Sequence, residues 1–130
     1  MKKLIMVVLC LCFIFFKPAD KIQSIETCNL NKDTIYLNLL LYFENIYPGP
    51  NKIVVYNNQQ QGILIVDSQL NTKKNITYRF KLTILIKDKE YKLILEPIEH
   101  GILGYPEWTD EYYAEFDNIK MYLKNYLDKK

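Results

Sequence analysis

Residues 76–86 run Ile76-Thr77-Tyr78-Arg79-Phe80-Lys81-Leu82-Thr83-Ile84-Leu85-Ile86. Every even position is large and apolar, and the odd positions are mostly polar. A period of two sustained over eleven residues predicts a β-strand with one face in a core and the other toward water. The residues that follow pair with it in one register. With Asp88-Lys89 as the two turn residues, Lys87 faces Glu90, Ile86 faces Tyr91, Ile84 faces Leu93, Leu82 faces Leu95 and Lys81 faces Glu96. Core residues then meet core residues, and both outer pairs are opposite in charge. A slip of one residue would turn every side chain to the wrong face. Tight two-residue turns prefer Gly or Asn, and this one has neither.

Outward from this hairpin the pattern continues on both sides. Ile53-Val54-Val55-Tyr56 reads as a strand, Asn57 to Gly62 as a polar turn, and Ile63-Leu64-Ile65-Val66 as a returning strand with both faces apolar and covered. Asn71-Thr72-Lys73-Lys74-Asn75 is a second polar loop. Upstream, Ile22–Cys28 is a short strand. Asn31 is placed to cap a helix with Asp33 in its first turn. Ile35, Leu39, Tyr42, Phe43 and Ile46 then recur at helical spacing, with Leu40 and Leu41 widening the stripe. Pro48-Gly49-Pro50 stops this helix of roughly four turns. Downstream, His100 to Glu107 reads as a linker. Thr109 caps a last helix, and Trp108 and Tyr113 suit a hydrophobic staple across that cap. Tyr112, Phe116, Ile119, Leu123 and Tyr126 line its apolar face. The expected fold class is α+β, in the order β-α-β-β-β-β-α: an antiparallel sheet with two helices packed on one face.

The amino terminus lies outside that domain. Lys2-Lys3 is followed by thirteen uncharged residues, Leu4 to Phe16, and then by Lys17-Pro18. This is the plan of a secretory signal. A helix of that length spans about 20 Å, short of the roughly 30 Å hydrocarbon core, so a cleaved signal is favoured over a retained membrane anchor. The expected division is 1–24 as signal peptide or short anchor and 25–130 as a single domain. Cys10 and Cys12 raise the alternative of a lipoprotein, but Leu9 and Leu11 precede them where lipid attachment wants a small residue. Without residues 1–24 the chain has 13 cations and 14 anions, because Lys2, Lys3, Lys17, Lys21 and Asp20 leave the totals of 17 and 15. The basicity therefore belongs largely to the leader, and nothing here argues for nucleic-acid binding.

The order and the residues resemble a known family: the domain of unknown function with a TBP-like fold, found in secreted proteins of Bacteroidota. The resemblance rests on Asn31-Lys32-Asp33-Thr34-Ile35-Tyr36 at the helix start, on Gln61-Gly62-Ile63-Leu64-Ile65 re-entering the sheet, and on Tyr78 to Tyr91 with its Lys87-Asp88 turn. It covers about residues 22–100. Relatives often carry Gly where this chain has Lys89. A cystatin-like fold also lays a helix on a four-strand meander, but it does not require the closing helix at 110–128. The resemblance implies a TBP-like fold and an exported protein. It carries over no catalytic residue, and a shape shared with TBP does not confer DNA binding.

The chain has little catalytic equipment. His100 is the only histidine, and Ser24 and Ser68 stand in no nucleophile motif. No Gly-rich phosphate loop occurs. Cys28 is the one cysteine left after cleavage, so no internal disulfide and no Cys-rich metal site is expected. An enzyme using Cys28 or His100 is the least favoured reading, and no cofactor or metal is expected. The preferred candidate is a partner surface. Arg79, Lys81, Lys87 and Lys92 share the outer sheet face with Thr77, Thr83, Leu85 and Ile94, and Tyr105 and Trp108 could join them as aromatic anchors. The expected occupant is an envelope protein or an anionic ligand. The expected location is exported, periplasmic or cell envelope, with a membrane-anchored or lipidated assembly component as the alternative.

Overall fold

The structure is a computed structural model that describes residues 21–49, 51–71, 77–98 and 110–130. Eight elements follow in order: β1 (Ile22–Thr27), α1 (Lys32–Leu41) continued by a π-helical turn (Tyr42–Ile46), β2 (Ile53–Asn58), β3 (Ile63–Asn71), β4 (Thr77–Lys87), β5 (Glu90–Pro97) and α2 (Asp110–Asp128). The five strands form one antiparallel sheet in the order β1-β5-β4-β3-β2. Consecutive strands β2 to β5 neighbour one another, and β1 closes the far edge beside β5.

The alternation in β4 sets the layers. Phe80, Leu82, Ile84 and Ile86 are buried, as are Leu93 and Leu95 opposite them on β5 and Leu64 and Val66 on β3. Against this inner face lie Ile35, Tyr36, Leu39, Tyr42 and Phe43 from the first helix and Tyr112, Phe116, Ile119, Leu123 and Leu127 from α2. Each such side chain contributes about 1.5–3 kcal/mol by leaving water. Aromatic contacts join the elements: Tyr42 packs on Tyr126 at 5.1 Å between the two helices, and Tyr78 of β4 on Tyr112 of α2 at 5.3 Å, between ring centroids. The Arg79 carbonyl accepts from both the Ile98 amide at 2.9 Å and the Tyr112 hydroxyl at 3.2 Å, which ties β5 and α2 to β4.

The β4–β5 register is the one expected, from Lys87 opposite Glu90 to Lys81 opposite Glu96. Lys81 Nζ lies 3.8 Å from Glu96 Oε1. Lys87 and Glu90 are register partners without an ion pair among the described residues, since exposed side chains gain little by closing one. The turn lacks Gly because its two residues are held by tertiary contacts. The Asp88 carboxylate accepts from the Lys32 amide at 2.8 Å and so caps α1 from outside, beside Asn31, which accepts from the Thr34 amide. Lys89, at φ +64°, donates its amide to the Leu30 carbonyl and accepts from the Cys28 amide. The backbone leaving β1 thereby compensates the left-handed conformation that a non-glycine residue resists.

Several expectations need correction. Ile46 was expected in the buried stripe but is half exposed, and Leu41 with it. The Tyr47 amide donates to the Tyr42 carbonyl, five residues back, and this wide turn inserts one residue into the helical phase. Tyr47 takes the core position that Ile46 would have filled. In α2, Leu127 is buried where Tyr126 was expected; Tyr126 is half-buried. Asn57 and Asn58 lie in β2, so the turn is residues 59–62. Gly62 closes it at φ +69°, where a Cβ would stand 2.4 Å from the Ile86 carbonyl oxygen. β3 runs on to Asn71, beyond Val66. The Thr109 cap, the Trp108 staple residue and the loop 72–75 lie outside the described residues.

Candidate functional site

The outer face of the sheet is built by the residues that alternate away from the core. Register places them in rows across the strands. One row reads Ile25, Lys92, Leu85, Ile63 and Asn58 from β1 to β2. The next reads Gln23, Ile94, Thr83, Ile65 and Tyr56. A third carries Glu96, Lys81, Asp67 and Ile53, with Lys21 beside Glu96 at 3.6 Å. Arg79 stands beyond it, opposite Gln69. Thr27, Glu90 and Lys87 border the other side.

Arg79, Lys81, Lys87 and Lys92 share this face, and acids stand beside two of them: Glu96 lies within ion-pair distance of Lys81 and Lys21, and Asp67 and Glu90 stand in register beside Lys81 and Lys87. Arg79 is engaged in an interaction of its own. The two middle rows are instead mainly apolar. Ile25 is 62% exposed and Tyr56 43%, while Ile63, Ile65, Leu85 and Ile94 are half-covered by their neighbours on the sheet. Ile63-Leu64-Ile65-Val66 is apolar on both faces, but the expected cover is present on one only: Leu64 and Val66 are buried, while Ile63 and Ile65 stand half-exposed on the outer face, where no described element packs. A bulge at Val55 adds another exposed apolar side chain at the β2 edge.

The other sequence candidates do not gather into a chemical site. Tyr105, Trp108 and His100 lie outside the described residues. Cys28 is a half-buried free thiol at the end of β1. It lines an open cavity of about 320 Å³ with Asn29, Leu30, Leu127, Asp128 and Lys130. Ser68 is buried on the inner face near Gly49. Among the described residues, no group of three His, Cys, Asp or Glu side chains is placed to hold a metal ion. No described helix is long and apolar enough to cross a membrane.

Strongly displaced ionisations belong to the core. Burial raises the Tyr42 and Tyr112 hydroxyls to about 12, with the neighbouring Tyr122 and Tyr78 adding to it. Burial also raises Tyr91 and Tyr47 further, the latter with its hydroxyl donated to Glu115 Oε1 at 2.7 Å. These groups stay neutral at physiological pH and hold the helices to the sheet.

Residues 23–100 match the family model described as a domain of unknown function (DUF4468) with TBP-like fold. Two solved structures are similar. One is a DUF4468 family protein from Bacteroides ovatus ATCC 8483, with a TM-score of 0.46 and 11% identity over 58% of this chain. The other is a TBP-like protein from Parabacteroides distasonis ATCC 8503, with a TM-score of 0.47 and 18% identity over 58% of this chain. The matched region is about half of each of those chains, 52% in both cases. No curated protein matches the sequence.

Proposed function

The chain belongs to the family of domains of unknown function with a TBP-like fold, and we propose that it is a non-catalytic binding module of the cell envelope. Its contact surface is the outer face of the sheet. The observation that carries this reading is the apolar band of Ile25, Leu85, Ile63, Ile94 and Ile65, which no described element covers. Antiparallel sheets commonly turn one face to water, but that face is then polar along each strand. Here it has an apolar centre and charged borders, the anatomy of a protein interface.

Export is supported by Lys2-Lys3 and the uncharged run Leu4 to Phe16. The mass of the mature protein tests it: loss of the leader is expected, and an intact Met1 would favour the anchored component instead. The contact surface is tested by affinity capture with the full chain. Leu85→Asp and Ile65→Asp should remove a captured partner while circular dichroism stays unchanged. Arg79→Glu, at the border, should weaken capture modestly. Unchanged capture by both apolar-band variants would mean that another surface binds.

A further inference from the structure

The two middle rows of the outer face hold ten register positions, and Lys92 is the one formal charge among them. It stands between Ile25 on β1 and Leu85 on β4, and its ammonium makes no ion pair among the described residues. The band crosses five strands at about 4.8 Å each, so it is roughly 19 Å long. An occupant that covers it takes Lys92 out of water. A charge buried without a partner is strongly unfavourable. The occupant must therefore bring a negative group to one place in an otherwise apolar surface.

Resting on the binding reading above, we infer that the band takes an apolar segment of a different protein, with one Asp or Glu carboxylate seated over Lys92. A second copy of this chain fits poorly. Stacked face to face, it would add another Lys92 and no carboxylate from its own middle rows; its nearest acid on that face, Glu90, lies one row outside the band, in register with Lys87. Its Glu96 is already shared by Lys21 and Lys81 at 3.6 and 3.8 Å. An anionic lipid surface is not favoured either, because the acids Asp67, Glu96 and Glu90 offset the border cations Lys81, Lys21 and Lys87 and leave no strongly positive rim for headgroups.

Carbodiimide coupling tests this in cells that produce the full chain, because it joins an ammonium to a carboxylate only where the two touch. The Lys81–Glu96 pair serves as the internal positive control. The expected product joins Lys92 to an Asp or Glu flanked by apolar residues in another protein. A synthetic peptide of that sequence should bind the purified chain. Lys92→Glu should weaken it at least tenfold, and changing the peptide's acid to Lys should restore binding to Lys92→Glu. Coupling of Lys92 to a second copy or to phosphatidylserine would overturn the inference. So would an uncoupled Lys92 in a sample where Lys81 and Glu96 couple. If Ile65→Asp abolishes partner capture in that case, the face still binds and only the acidic segment is wrong. If Ile65→Asp and Leu85→Asp leave capture intact, the binding reading fails as well.

Discussion

Gly62 shows how much of this fold depends on single backbone positions. Its carbonyl accepts from the Ile86 amide at 2.7 Å, and its left-handed φ lets the β2–β3 turn approach the end of β4. A methyl group there meets the Ile86 carbonyl, backbone that does not yield easily. Gly62→Ala should cost about 2–4 kcal/mol from the combined strain and overlap. A domain of this size would lose roughly 10 °C or more of melting temperature in a calorimetric scan. Gln61→Ala, one residue earlier and exposed, should stay within about 0.5 kcal/mol of the parent. Equal effects would mean that the turn does not press on β4. The glycine itself was readable as a turn residue. Its contact with Ile86 was not, because no local pattern reports which strand a turn will touch. Asp88 is a similar case: its acid is plain in the sequence, but its partner is the amide of Lys32, 56 residues away.

At the scale of elements, the sequence resolved what repeats and missed what interrupts a repeat. The β4–β5 register followed from alternation and charge, since only one register keeps every apolar side chain inside. The π-helical turn has no such signature. It moves Tyr47 into the core and sets Ile46 in line with Leu37 and Leu41, which makes a half-exposed apolar stripe on the solvent side of the helix. β1 bears on where the folded domain starts. Ile22 is buried against the core, and Ile22, Gln23 and Ser24 form three of the six rungs to β5. A chain beginning at Ile25 loses those rungs, the Ile22 contacts and the Lys21–Glu96 pair. It should melt roughly 10 °C or more below a chain beginning at Lys21, since burying one such side chain is worth about 1.5–3 kcal/mol. Equal melting temperatures would show that the amino-terminal half of β1 adds nothing to stability.

For the whole molecule, the core is rich in tyrosine, and this gives it a pH limit. Tyr36, Tyr42, Tyr47, Tyr91 and Tyr112 all hold their protons more tightly when folded, chiefly through burial. Unfolded tyrosine ionises near 10. The stability they contribute is complete below that pH and falls as the pH rises toward 12 and above. Absorbance of tyrosinate should show a class of rings that ionises only together with loss of the circular dichroism signal. A single transition near 10 with the fold intact would contradict the burial of these rings. The layered order of sheet and helices was legible because most elements show a buried face in the sequence; β2, which has no fully buried residue, was legible from its β-branched run and the polar turn after it. The character of the outer face was legible only in part. The cations of β4 and β5 stood out, but the weight of the apolar band emerges once register sets Ile25, Ile63 and Ile65 beside Leu85 and Ile94.

On the binding reading, two of the exposed apolar surfaces among the described residues are candidates for the contact: the band on the sheet and the stripe of Leu37, Leu41 and Ile46 on the helix. Methyl NMR of the labelled chain, titrated with the captured partner, separates them directly. The binding reading predicts that the methyls of Ile25, Ile63, Ile65, Leu85 and Ile94 shift while those of Leu37, Leu41 and Ile46 stay in place. Shifts confined to the helix stripe, with the sheet methyls unmoved, would contradict it.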